Sequence, residues 1–577
     1  MKKLQAAFVA ALVSTGFVQA QQVYNAIPIP DTMRGPVFNL EIKEGTMDFL
    51  PPPPPPLPTP PKTQTAGYNP VSTDKTFLGP TLIMYNGEAV QMHVTNRLTE
   101  ETTTHWHGIH LPAVMDGGPH QVIGPNKTWS PYWEVKNHAA TYWYHPHLHH
   151  ETQRHVNMGI AGLIIVRDAE EAALALPRTY GVDDVPLVVT ERAFDAERQI
   201  RNEQYGDTVI VNGALHPKFD APAQVVRFRI LCAAPGRSYN LGFSDNRTFY
   251  AIASDGGLLE APVPLTRFVI SPGERIEILV NFSGQQGQNA SLMAYNFDLP
   301  KDVPGGEPPA LQMNRLTKRN FEIIRFDVVA PTANPITAIP ASLVSVQRYS
   351  ESASQMTRTL LMTDTILLPD PTPIPIINRQ FFDHDRTDFN IQLEATEVWE
   401  LINHTLISHP FHLHDVEFFV LDRNGVPPAP EEAGWKDVVN VYVDETVRII
   451  AKFTNYADPD NHYMFHCHIL SHEDHGMMGQ FIVTDTSGVH RATAQTATGW
   501  VKLFPNPAQA SFRFLCEKHL RLKDVAVVNS VGQRAKHVGD YQSGDDVDVS
   551  ELAPGLYFVT AFDAVSGEPI RLKFQKR

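Results

Sequence analysis

The sequence predicts an all-β protein made of several domains. Short apolar or alternating segments recur along nearly the whole chain, which is the signature of strands. Gly 35 and Pro 47 punctuate those segments, as turns in a loop-rich β protein require. Helical periodicity is rare, and DAEEAALAL (168–176) is its clearest instance. At about 100–200 residues per domain, 577 residues suggest about three to five domains. With 42% hydrophobic residues, each can bury a core.

Taken in order, the chain opens with Lys2 and Lys3, a mostly apolar run from Leu4 to Val18, and a small-residue site at Val18-Gln19-Ala20. That pattern predicts a signal peptide over 1–20 and an exported product. No later run reaches the ~18 apolar residues of a membrane span. Residues 50–61, LPPPPPPLPTPP, read as a stiff polyproline strap. From Leu78 onward come strand segments: AVQMHVTNRL (89–98), TYWYH (141–145), GLIIVRD (162–168), PLVVTE (186–191), DTVIVNG (207–213), VVRFRIL (225–231) and RIEILVNF (275–282). EVWELIN (397–403), EFFVLDR (417–423), TVRIIAKF (446–453) and GQFIVTD (479–485) continue the series. Strands this short and this closely spaced indicate sandwiches or barrels. Boundaries are expected near 170, 335 and 490, with a small polar linker at 487–500 and a compact β-rich tail at 501–577.

The formal net charge of −16 argues against nucleic acid and anionic membrane surfaces as partners. Three cysteines do not make a disulfide framework. Cys232, in RFRILCAAP, and Cys516, in SFRFLCEK, read as core filler; Cys467 differs because it lies between two histidines.

Four short clusters carry the chemistry. They are HWH (His105, His107), HPH (His145, His147), HPFHLH (His409, His412, His414) and HCHILSHEDHGMM (His466, Cys467, His468, His472, Met477). On a strand, residues two apart share a face. His105 and His107, His145 and His147, His412 and His414, and His466 and His468 therefore converge as eight imidazoles. His409, Cys467, His472 and Met477 face the other way. Two imidazoles, a thiolate and a weak thioether define a blue-copper electron-transfer centre. Eight imidazoles suit three further coppers. Zinc is the alternative metal, but it has no use for so many imidazoles beside a His-Cys-His bridge. The remaining histidines, such as His93, His110, His120, His149, His150, His155 and His475, read as ordinary residues, a few of them supporting the ligands.

With these motifs on the page, residues 25–486 resemble the three-domain multicopper oxidases, the family of laccases, bilirubin oxidases and bacterial copper-efflux oxidases. LGPTLIMYNGEAVQMHVTNRL, DGGP, NMGIAGLIIV, ASDGGLLEAPVPL, AGWKDVV and YMFHCHILSHEDHGMM carry the similarity. The resemblance implies three cupredoxin-like Greek-key β-barrels at 21–170, 171–334 and 335–486, followed by a small β-sandwich. It implies four copper ions: one type 1, one type 2 held by His105 and His412, and a type 3 pair. His107, His145 and His468 would hold one ion of the pair, and His147, His414 and His466 the other. Glu473 and Asp116 would supply protons and tune the ligands. Asp437, in AGWKDVV, would lie near the exposed edge of His409 or His472, where the donor docks, with Trp435 walling the site or filling a core. The middle barrel would be a spacer.

The implied reaction is one-electron oxidation of phenolic or aryl-amine donors, as in laccases and bilirubin oxidases, coupled to four-electron reduction of dioxygen to water. The alternative is a metallo-oxidase acting on Cu(I), Fe(II) or Mn(II). The methionine-rich insertion of copper-efflux oxidases is lacking, since 341–369 holds only Met356 and Met362. A non-enzymatic scaffold should have lost its ligands, and this chain keeps them. The tail (VKLFPNPAQASF, VVNSVGQ, DVSELAPGLYFVT, RLKFQKR) is similar to the sorting domain of type IX secretion cargo. It implies the secretion machinery as a partner and a secreted or cell-surface protein that transits the periplasm. The chain is read as a monomer.

Overall fold

The computed structural model describes residues 22–50, 61–70, 73, 76–307, 314–367, 369, 372–485, 493–496, 499–506, 508–516, 521–529, 533–542, 545–565, 567 and 569–577. The expected signal peptide, positions 51–60 of the proline strap and most of the linker lie outside them. The chain divides into two compact units, Met1–Thr484 and Asp485–Arg577.

The first unit holds three pairs of sheets, each pair closing on its own core. In the N-terminal pair, Thr32–Arg34, Thr81–Tyr85, Gly162–Arg167 and Thr141–Tyr144 form one sheet. Thr63–Pro70, Val37–Met47, Ala89–Asn96 and Thr128–Trp129 form the other, with Tyr132–Glu134 also paired to Ala89–Asn96. Phe38, Leu40, Tyr68, Met92, Val94, Trp106 and Tyr144 fill the space between them. The middle pair packs around Val226, Phe228, Ile230, Phe243, Ile278 and Phe326. The third packs around Trp399, Leu401, Phe411, Ile449, Phe465, Cys467 and Phe481. The architecture is all-β, and every strand segment expected from the sequence coincides with an observed strand. One exchange crosses the expected boundaries: Asn25–Ala26 pairs in parallel with Pro217–Pro222 of the middle barrel.

Three short α-helices occur among the described residues of this unit. Ala169–Ala173 is the one anticipated, and the Asp168 carboxylate caps it by accepting from the Glu171 amide. Thr152–Met158 and Leu470–Asp474 have no apolar periodicity to announce them. They pack against each other and carry Thr152, His472 and Glu473.

The second unit is a two-sheet sandwich. Thr493–Thr496, Gly499–Phe504, Ser511–Cys516 and Val547–Asp548 form one layer. Arg534–Gln542, Arg521–Asn529, Gly555–Asp563 and Pro569–Lys576 form the other, over a core of Phe512, Phe514, Val527 and Phe574. The Cys516 side chain lies outside the described set. No helix among the described residues is long and apolar enough to cross a membrane.

Candidate metal centre

The centre is built on two antiparallel strands of the third barrel. His409–Leu413 runs against Asp458–Cys467, with Phe411 opposite Cys467 and His412 opposite His466. Pleating sends His409, Phe411, Leu413 and Cys467 into the barrel, and His412, His414, His466 and His468 outward. The first barrel supplies the facing histidines, but not from regular strands. His105 and His145 meet in an isolated bridge, with N–H···O distances of 2.8 and 3.1 Å in the two directions. His107 sits in a turn completed by Gly108 at φ +81°, where a Cβ would lie 2.3 Å from the Asp437 carboxylate. At Gly117, φ +80°, a Cβ would come within 1.7 Å of the Thr104 carbonyl. Both positions therefore require glycine.

The eight imidazoles meet in one buried cavity. His107, His145 and His468 present nitrogens close enough to share one ion, as do His147, His414 and His466, and His105, His107 and His412. The outer nitrogens are anchored. His412 Nδ1 donates to the Asp437 carbonyl at 2.8 Å, His105 Nδ1 to the Asp116 carbonyl at 3.0 Å, and His466 Nδ1 to the Cys467 carbonyl at 3.0 Å. The inner nitrogens are another matter. His105 Nε2, His412 Nε2 and both nitrogens of His468 are buried with no hydrogen-bond partner. Each such group costs about 1–3 kcal/mol unless something satisfies it. Burial, followed by mutual repulsion, holds His107, His145, His147, His412, His414 and His468 well below the ordinary histidine range. Burial, with a smaller push from His105, takes His466 to about 3. Neutral imidazoles aimed at a common void with nothing to bind are what a metal cluster needs.

On the other side of the same strand, Cys467 Sγ lies 3.3 Å from His409 Nδ1 and 3.7 Å from His472 Nδ1. Burial lowers both histidines and raises the thiol. The thiol therefore keeps its proton until a cation displaces it. Met477 is buried in the core that contains Cys467. Its carbonyl accepts from the Cys467 amide at 3.1 Å, and its amide donates to the His472 carbonyl at 2.8 Å.

Three carboxylates were expected here, and their positions differ. Glu473 lies 3.1 Å from His147 Nδ1 and 3.4 Å from His466 Nδ1, and accepts from the Thr152 hydroxyl at 2.7 Å. Burial, then the neighbouring Asp474, pushes it well above the carboxylate range. Asp116 accepts from His414 Nδ1 at 2.8 Å.

Asp437 corrects the expectation. It is only 1% exposed, so its carboxylate does not face a donor at the surface. Arg275 grips its two oxygens at 2.6 and 2.5 Å, and Oδ1 lies 3.2 Å from His107 Nε2. The register explains the error. Val438 pairs with His412, whereas His409 pairs with Val441 at the opposite end of the strand. Trp435 likewise packs on His138, Tyr349 and Phe419, not on His409 or His472. The middle barrel is more than a spacer. Besides Arg275, it sets the Gly273 backbone against the His468 ring and the Pro235 carbonyl on the Leu470 amide. No local pattern in the sequence marks Arg275 or Thr152.

Two stretches, 61–171 and 346–487, match family models described as multicopper oxidase. Residues 502–566 match a secretion system C-terminal sorting domain, which implies export. A multicopper oxidase of Staphylococcus haemolyticus is 34% identical over 433 residues, 73% of this chain and 85% of that one. The cell division protein FtsP of Sodalis glossinidius is 33% identical over 420 residues, 71% of this chain and 84% of that one. Among solved structures, a bacterial laccase-like multicopper oxidase, CueO of a lignin-degrading Ochrobactrum, superposes with a TM-score of 0.69. It is 32% identical, and the match covers 79% of this chain and all of that one. The donor set suits copper, the metal of that family, and the chain belongs to the multicopper oxidases.

Proposed function

We propose that this protein couples one-electron oxidation of a small phenolic or aryl-amine donor to four-electron reduction of dioxygen to water. His409, Cys467 and His472, with Met477 as the weak axial donor, would hold a type 1 copper. His105 and His412 would hold a type 2 copper, and the trios His107, His145, His468 and His147, His414, His466 a type 3 pair. Bound there, the four coppers supply the electron transfer and the activation of dioxygen.

One observation carries the reading. Cys467 lies between the rings of His409 and His472, while its chain neighbours His466 and His468 belong to the eight-imidazole cavity. The two sites are thus joined by adjacent peptide bonds and by the His466 Nδ1–Cys467 carbonyl contact. His472 is the access edge. The outer nitrogen of His409 is taken by the Thr405 hydroxyl at 2.7 Å, whereas His472 is 9% exposed. Glu473 holds a proton within reach of His147 and His466, and so is the proton donor to reduced oxygen. Asp437 is a positioning residue.

A phenolic donor is favoured over Cu(I). Met356 is exposed and Met362 is fully buried in the core, so they form no shared thioether site. The laccase-like relative that acts on lignin model compounds points the same way. Some relatives carry the name of a cell division protein, but the complete ligand set argues for catalysis here. Export would proceed through the N-terminal signal peptide and periplasm, then through a type IX-like machinery that reads the tail.

The test is Cys467→Ser. Copper-loaded wild type should be blue and consume oxygen with a phenol, and the variant should fold but lose both properties. Full activity in the variant would refute the assignment.

A further inference from the structure

A second group of imidazoles lies outside this centre, in the same compact unit. His462, His120, His384, His149 and His150 form a continuous row. Ring-centre separations along it are 5.4 Å for His462–His120, 4.9 Å for His120–His384, 5.9 Å for His384–His149 and 3.8 Å for His149–His150. Inside the cavity, the trio His147, His414, His466 has separations of 4.8, 5.0 and 5.3 Å. Ring to ring, the outer imidazoles are about as close as the inner ones, but no three of them bring their nitrogens together as the inner trios do. They form an open chain where the inner ones form a triangle.

The row is built, not incidental. Gln480 ties its segments together. Its Oε1 takes His120 Nε2 at 2.7 Å, and its Nε2 donates to the carbonyls of Asp383, His384 and Arg386 at 3.2, 3.0 and 2.6 Å. Buried Phe382 supports the His149 and His384 rings from beneath. His462 is held by the Thr387 hydroxyl, and His150 by the Asp474 carbonyl at 2.8 Å. His149 Nε2 is shut from solvent without a hydrogen-bond partner. Among the described residues His384 has no hydrogen bond through either ring nitrogen. His462, His120 and His384 repel one another once protonated, so holding their rings together is costly unless one cation replaces several protons. Burial and neighbouring imidazoles already lower His384 and His462 toward the neutral, ligating form. Asp383 and Asp385 add negative charge beside His384.

We propose that His120 and His384, completed by His149, form an external site for one imidazole-seeking divalent ion of the Cu(II)/Zn(II) class. Its place is informative. His120 lies four residues beyond Asp116, His149 two beyond His147, and the His150 anchor Asp474 directly follows Glu473. The ion would sit at the outer end of the same segments that line the inner cavity. This site goes beyond the oxidase reading and does not depend on it.

The test titrates Zn(II) into copper-loaded, desalted protein by calorimetry in a non-chelating buffer. Wild type should take up one Zn(II) per chain with micromolar affinity, and added Cu(II) should displace it. The His120→Ala/His384→Ala variant should lose affinity by about tenfold or more. Its copper content, absorption spectrum and thermal midpoint should match wild type, and His93→Ala, on the Ala89–Asn96 strand and outside the row, should bind normally. The single variant His384→Gln, on an exposed turn, gives the same readout if the double variant folds poorly. No Zn(II) uptake by wild type, or uptake undiminished in both His384 variants, would overturn the proposal.

Discussion

Glu473 and Asp437 are both buried carboxylates beside the same set of imidazoles, yet they sit in opposite electrostatic surroundings. Glu473 has a hydroxyl, Thr152, and a second acid, Asp474, for neighbours, and among the described residues no lysine or arginine pairs with it. Asp437 is clasped by Arg275, which is itself fixed by the carbonyls of Thr141, Gly273 and Asp255 at 2.9, 3.0 and 2.9 Å. Burial raises both acids. Arg275 limits the rise at Asp437 to about 6, while nothing comparable restrains Glu473. Glu473 is thereby pushed further toward its protonated form than Asp437, which Arg275 biases toward its charge. The cavity has a chemical wall on the Glu473 side and a structural wall on the Asp437 side.

The largest effect expected from that contrast is at the structural wall. Arg275→Met strands the Asp437 charge and should cost about 3–5 kcal/mol of stability, read as a fall in the thermal midpoint. Adding Asp437→Asn should restore part of the loss. An unchanged midpoint would dissolve the distinction between the two walls.

Next comes the chemical wall. Glu473→Gln keeps shape and removes the proton supply. Turnover should fall by about 10²-fold, with copper content retained and stability changed by less than about 1 kcal/mol. Wild-type turnover in a folded, copper-loaded variant would show that the proton comes from elsewhere.

The proton itself can be observed. In metal-free protein, a neutral-carboxyl infrared band should persist as pH rises through and well above 4.5, the ordinary glutamate value. It should be missing from Glu473→Gln. The folded state keeps a proton that the unfolded chain releases near 4.5, so this group's contribution to stability declines as pH rises above that point. A band lost near 4.5 would contradict the assignment.

The smallest effect belongs to Trp435→Phe. Trp435 lines a cleft of about 650 Å³ with His138 and Tyr349, away from the ligands. Donor turnover should change less than about twofold, with roughly 1 kcal/mol of stability lost. A large drop in turnover would restore Trp435 to the donor site.

The strand segments and the histidine clusters were readable because both depend on local spacing. Alternation at 409–414 and 466–468 is a property of two short strands, and the chain carries it openly. Long-range register is not written locally, and Asp437 shows the cost. Its motif was recognisable, but only the pairing of Val438 with His412 decides which end of the strand it occupies. Arg275, Thr152 and Gln480 escaped for the same reason, since each acts on residues more than 90 positions away. The outer histidines were visible singly. Their row is assembled from four segments that meet only in the fold.

The most direct test of the central claim is a metal count on copper-loaded protein, wild type against Cys467→Ser. The paired sites predict four coppers per chain with a blue absorption in wild type, and three with no blue absorption in the variant. A count of one or none in wild type, or the same count and colour in both proteins, would contradict it.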